Sequence, residues 1–200
     1  MTRRLVPLLL TAGAFVGAVL AATPNDRVIA DLYARGLAGD KQAVIDCIAA
    51  LETKRATQPN DQLACVYLGS AWTLRSRDLP IGPGKLSALR KGIAMMDEAA
   101  NAAPNDIRVL LLRAVTSEAF PAILGRRKIA RQELEALLAV MEKDPDKLEP
   151  ADRQLLYFNA GEAAKRAGEK GRAAELWQRG AAINGDPKLT QEIRAALAQL

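Results

Sequence analysis

The tripeptide Pro-Asn-Asp begins at residues 24, 59 and 104, and it limits the fold more strongly than any other feature. Proline has no amide hydrogen and a fixed φ, so it belongs in a connection or in the first turn of a helix. At the first copy Thr23 reads as an N-cap, Pro24 as the first helical residue and Asp26 as a first-turn acid. The copies start 35 and 45 residues apart, which leaves room for two helices and their turns each time. Half the residues are apolar but only 4% are aromatic, so the core must be built from Ala, Leu, Ile and Val. Ala and Leu lead the helix propensity scale, and few β-branched runs occur. The chain therefore reads as a series of closely packed helix pairs.

The expected helices run over about 24–37, 41–56, 61–77, 85–102, 106–120 and 126–143. Residues 78–84, DLPIGPG, carry two prolines and two glycines, so they are expected to supply an extended loop. Several helices show one apolar stripe at i, i+4, i+7 spacing. In the second it is Ala43, Val44, Cys47, Ile48 and Leu51; in the fourth Leu86, Leu89, Ile93, Met96 and Ala100; in the sixth Ala130, Leu134, Leu137, Leu138 and Met141. The fifth contains Val109-Leu110-Leu111-Leu112 and is apolar nearly all round, so it should be flanked on both sides. Residues 156–187 read as two helices joined by a tight turn at 168–171. A last helix from Pro187 has Leu189, Ile193 and Leu197 on one stripe and polar residues elsewhere, as a helix closing a stack requires.

Within 156–187, Ala160-Gly161 and Ala164 put small residues on one helix, and Ala173-x3-Trp177 sets a small and a large residue on the next. With Asp186-Pro187 after them, they resemble a tetratricopeptide repeat, whose pattern is L-G-x2-Y, A-x3-F and P over about 34 residues. Leu68-Gly69-x2-Trp72 resembles the first element again. The likeness is thinner elsewhere: Cys47 stands where the A-x3-F aromatic belongs, and the third pair lacks the L-G element. The resemblance implies an all-α fold, a right-handed α-α superhelix of about four helix pairs with a C-terminal capping helix, spanning residues 22–200. It also implies partner binding in a concave groove lined by the first helix of each pair. Carried onto this chain, the groove positions are Tyr67, Ser70 and Thr73, then Arg108 and Leu111, then Asn159, Glu162, Lys165 and Arg166. Asn159 and Arg166 together would hold an extended peptide or its terminal carboxylate.

The N-terminus has Arg3 and Arg4 followed by an uncharged run over residues 5–22, with Val19-Leu20-Ala21 suited to cleavage after residue 21. It is expected to be a secretory signal, residues 1–21; the alternative is a retained membrane anchor, since the run just reaches spanning length. Losing Arg3 and Arg4 lowers the net charge from +5 to +3, a mixed surface that argues against nucleic-acid binding.

Cys47 and Cys65 lie about equally far from the turn between their helices, so in an antiparallel pair they stand level. Either they form a disulfide in an exported chain, or they are two buried thiols packing as small apolar residues. The basic cluster Arg126, Arg127, Lys128 and Arg131 opposes the dipole at a helix start. It is either a landing site for an anionic partner or head groups, or a solvated face with Arg131 paired to Glu135. The chain has no histidine, which excludes histidine-assisted nucleophiles and histidine metal sites. Gly82-Pro83-Gly84-Lys85 lacks the spacing and the Ser/Thr of a phosphate loop. No catalytic residue, metal or cofactor is assigned. The expected role is a non-enzymatic module of the bacterial periplasm that binds or scaffolds a protein or extended peptide. The alternatives are a membrane-tethered assembly factor and an accessory subunit of an enzyme complex.

Overall fold

A computed structural model describes residues 23–200; the expected signal or anchor segment lies outside the described residues. Within them the chain forms nine α-helices. They are α1 (Pro24–Leu37), α2 (Lys41–Thr57), α3 (Gln62–Asp78), α4 (Pro83–Ala102) and α5 (Ile107–Glu118), followed by α6 (Arg126–Lys143), α7 (Pro150–Arg166), α8 (Lys170–Ala181) and α9 (Pro187–Leu197). Short 3-10 turns at Ala122–Leu124 and Pro145–Lys147 precede α6 and α7.

Local side-chain chemistry sets the helix starts. Thr23 Oγ1 accepts the amide hydrogen of Asp26, and the Asp26 carboxylate accepts that of Thr23, a reciprocal capping box. Asp40, Asp61, Asp106 and Asp186 each accept amide hydrogens in the first turn of the helix that follows. The Asp residues of the first two Pro-Asn-Asp copies also meet through one cation. Lys54, in the last turn of α2, reaches both Asp26 and Asp61, the latter at 3.2 Å.

Each helix packs on its successor, and the odd-numbered helices α1, α3, α5, α7 and α9 also touch in turn. As expected, α5 is flanked on several sides, by α3, α4, α6 and α7. The α2 and α6 stripes are buried as the periodicity predicts. The α4 stripe is rotated. Its buried residues are Ala88, Gly92, Met95, Met96, Ala99 and Ala100, while Leu86 is exposed and Leu89 and Ile93 are only half-buried. Gly92 causes this rotation, because it lets the α4 backbone rest on α3 at Gly69.

The expected loop over 78–84 narrows to 79–82. α3 continues to Asp78 and α4 begins at Pro83, so the extra residues of this unit lengthen the hairpin and leave only 79–82 as its tip. Proline at the first helical position makes that start available. At the far end, buried Gln154 fastens α9 to α7. Its Oε1 accepts the Asp186 amide hydrogen at 2.7 Å, and its Nε2 donates to Thr190 Oγ1 at 2.7 Å.

Candidate partner-binding faces

On the odd-helix face, α3 presents its polar residues to neighbouring helices. The Tyr33 and Ser70 hydroxyls lie 2.6 Å apart, and Ser70 Oγ lies 2.9 Å from Thr116 Oγ1, so one hydroxyl chain joins α1, α3 and α5. Tyr33 and Tyr67 meet edge to face with ring centroids 5.0 Å apart, and burial pushes both phenols above their ordinary range. Thr73 donates its hydroxyl to the Ser70 carbonyl. Tyr67, Ser70, Thr73 and Leu111 are all buried. They are therefore core residues here and do not line an open groove, because α5 packs over α3 and covers the face that the resemblance leaves free.

The remaining expected groove residues stay at least partly exposed on α5 and α7. Arg108 is exposed near the start of α5 and faces Asp152 and Tyr67 electrostatically. Asn159 donates to the Leu155 carbonyl of its own helix at 2.9 Å, so it is not paired with Arg166. Arg166 turns to α5, where its Nε lies 3.2 Å from Glu118, and it also meets Glu162 at 3.3 Å. Lys165 stands 5.3 Å over the Trp177 ring.

Two carboxylates that the sequence did not single out lie beneath this face. Asp152 is 1% exposed and its Oδ1 has no hydrogen-bond partner. Burial pushes its carboxyl up to about 7, helped by Glu149 and opposed by Arg108. Glu118 is 2% exposed, keeps one oxygen unbonded and is likewise raised by burial, against the pull of Arg166. A first-turn acid after Pro150 was the single local hint of Asp152.

Half of the basic cluster is neutralised. Arg126 bonds Asp97, which Arg113 shares, and Arg131 bonds Glu169 at 2.6 Å. Glu135, the local partner considered for Arg131, pairs with Arg172 instead. Arg127 is half-buried and Lys128 is exposed.

Cys47 and Cys65 are free and buried, so the disulfide alternative is not formed in this structure. Cys47 Sγ points at the Ile29 carbonyl of α1, 3.9 Å away, and burial pushes its thiol up to about 12. Burial raises Cys65 too. Residues of α2, α3 and α4 line an open cleft of about 420 Å³, among them Glu52, Arg55, Leu68, Lys91 and Met95. Lys91 caps it, 3.7 Å over the Trp72 ring and 3.4 Å from Glu52.

These contacts define an all-α protein of packed helix hairpins, compatible with a helical repeat. Compared with family models, curated proteins and solved structures, the chain matches none. Among the described residues, no helix is long and apolar enough to cross a membrane.

Proposed function

We propose that the chain is a tetratricopeptide-like right-handed superhelix of four helix pairs and a capping helix, which binds an extended peptide or protein segment without covalent chemistry. The contact between α5 and α7, whose expected groove residues Arg108, Asn159, Glu162, Lys165 and Arg166 stay at least partly exposed, carries this reading. The binding residues narrow to α5 and α7. Arg108, Asn159, Glu162, Lys165 and Arg166 combine exposed charge with amide chemistry, suited to charge-assisted bonds with a peptide backbone or side chains. The setting is the bacterial periplasm, on the strength of the leader sequence. The leader retained as an anchor gives the second reading, a tethered assembly factor. The mass of the mature N-terminus separates them: a start near residue 22 means export, a start at Met1 means tethering.

The test is a photo-crosslinking side chain placed in living cells at Arg108 or Lys165, with Gln132 on α6 as control. Adducts from the first two positions and not the third support capture on the odd-helix face. Equal adducts from Gln132, or none at all, would overturn it.

A further inference from the structure

An acid faces a cation at each end of the contact between α5 and α7, and the two pairs stand in different states. At the helix ends Glu118 of α5 and Arg166 of α7 are joined, with Arg166 Nε 3.2 Å from the carboxylate and its side chain 35% exposed. At the helix starts the charges are exchanged, with Arg108 on α5 and Asp152 on α7, and Arg108 is turned elsewhere. Asp152 is buried and its Oδ1 accepts no hydrogen bond. The Arg108 side chain is 49% exposed, and its Nε lies 3.6 Å from Asp106 Oδ1. That oxygen already accepts the amide hydrogens of Arg108 and Val109, so it holds the guanidinium loosely.

A buried carboxyl without a cation keeps its proton, because ionising it there costs far more than in water. The structure therefore shows the arrangement that belongs to protonated Asp152. Once ionised, the carboxylate needs a cation, and Arg108 is the one that faces it. The other groups around Asp152 cannot take that part. Glu149 repels it, the Tyr67 phenol of α3 carries no positive charge, and Arg153 is turned to the Pro145 carbonyl and Asp146. Towards α9 the neighbouring side chain is the uncharged Gln154.

We propose that Arg108 is a proton-gated contact of the α5–α7 face: beside protonated Asp152 it stands free for a carboxylate of the bound segment, and beside ionised Asp152 it folds inward and is withdrawn. This rests on the reading of that face as a peptide-binding surface and adds its regulation. The joined Glu118–Arg166 pair shows that the same two helices accommodate the closed arrangement. Burial holds the Asp152 carboxyl at about 7, so the gate works around neutral pH. The chain has no histidine, which leaves the α-amine as the ordinary group that titrates in the same range.

The experiment follows the isotope-labelled full chain by NMR from about pH 5.5 to about pH 8.5. Asp152 Cγ should titrate, and the Arg108 Nε–H signal should move with the same midpoint. In Asp152→Asn that movement should vanish. The ligand probe is a fluorescent poly-aspartate of about ten residues, whose charge is constant over this range. Its affinity, read by anisotropy, should fall about tenfold between about pH 6 and about pH 8, following the fraction of protein with Arg108 free. Asp152→Asn should bind it equally at both values, and Arg108→Gln weakly at both. An Arg108 signal that ignores Asp152, or moves equally in Asp152→Asn, overturns the gate. So does a parent affinity that is absent or holds across the range. Crosslinks from Arg108 and Lys165 would then still support peptide capture. Absent crosslinks with the shared midpoint intact would instead sink peptide capture and leave the pairing of Arg108 with Asp152 standing.

Discussion

A Cβ placed on Gly92 would lie 2.5 Å from the carbonyl oxygen of Gly69, so α3 and α4 cross with their backbones in contact. Gly92→Ala must push the two helices apart. Overpacking of this kind costs about 1–3 kcal/mol, more than the roughly 1 kcal/mol that alanine gains over glycine in a helix. Urea unfolding should show the loss. Gly84→Ala, which meets nothing within 4 Å, should be neutral or stabilising.

Lys54 is the cation that holds Asp26 and Asp61, and its side chain is only 10% exposed. Burial pushes Asp26 up, but the Lys54 and Thr23 bonds outweigh it and hold the carboxyl below 3.8. A depressed acid contributes stability that is present above its ordinary value and lost as the pH falls through the folded one. Lys54→Met leaves Asp26 buried without its cation and should cost about 3 kcal/mol at neutral pH. Adding Asp26→Asn should recover part of that. A single variant as stable as the parent would show that the pair contributes nothing.

Asp152 has the opposite sign. Its carboxyl is raised from 3.8 to about 7, so between those values the folded chain holds a proton that the unfolded chain has released. Stability therefore falls as the pH rises through this window, by at most about 1.4 kcal/mol per unit. Urea midpoints should be higher near about pH 4.5 than near about pH 8. Asp152→Asn should raise the midpoint at the higher pH and leave a smaller slope, contributed by Glu118, Glu133 and Glu192, whose carboxyls burial also raises.

Both thiols should be silent towards a thiol reagent at neutral pH in the folded protein and react together once it is unfolded, since both are buried and raised. Unfolded protein without reactive thiols would reveal the disulfide.

Helix starts were legible because the carboxylates of Asp26, Asp40, Asp61 and Asp106 accept amide hydrogens within three residues of themselves. Stripes were legible where the neighbouring helices together bury one face and leave the other exposed, as on α2 and α6. The α4 register was not, because it depends on a glycine facing a glycine across the hairpin, and glycine carries no hydropathic signal. Met96 there touches Gly69 much as Trp177 covers Gly161 in the last pair, a match hidden by unlike side chains. The basic cluster misled for a similar reason. Arg126 and Arg131 find Asp97 and Glu169, 29 and 38 residues away, and no local pattern points there. Tyr67, Ser70 and Thr73 failed as groove residues because exposure of a helix face is decided by the next helix to arrive.

The chain's two tryptophans occupy different hairpins: Trp72 lies under the Lys91 ammonium in α3, and Trp177 donates to the Phe158 carbonyl at 3.0 Å from α8. Each is thus a built-in optical reporter for its own half. In a row of hairpins where each leans mainly on its neighbours, melting is free to travel from one end. Single-tryptophan proteins would then disagree on the midpoint, and the size of that disagreement would measure how tightly the two halves are coupled.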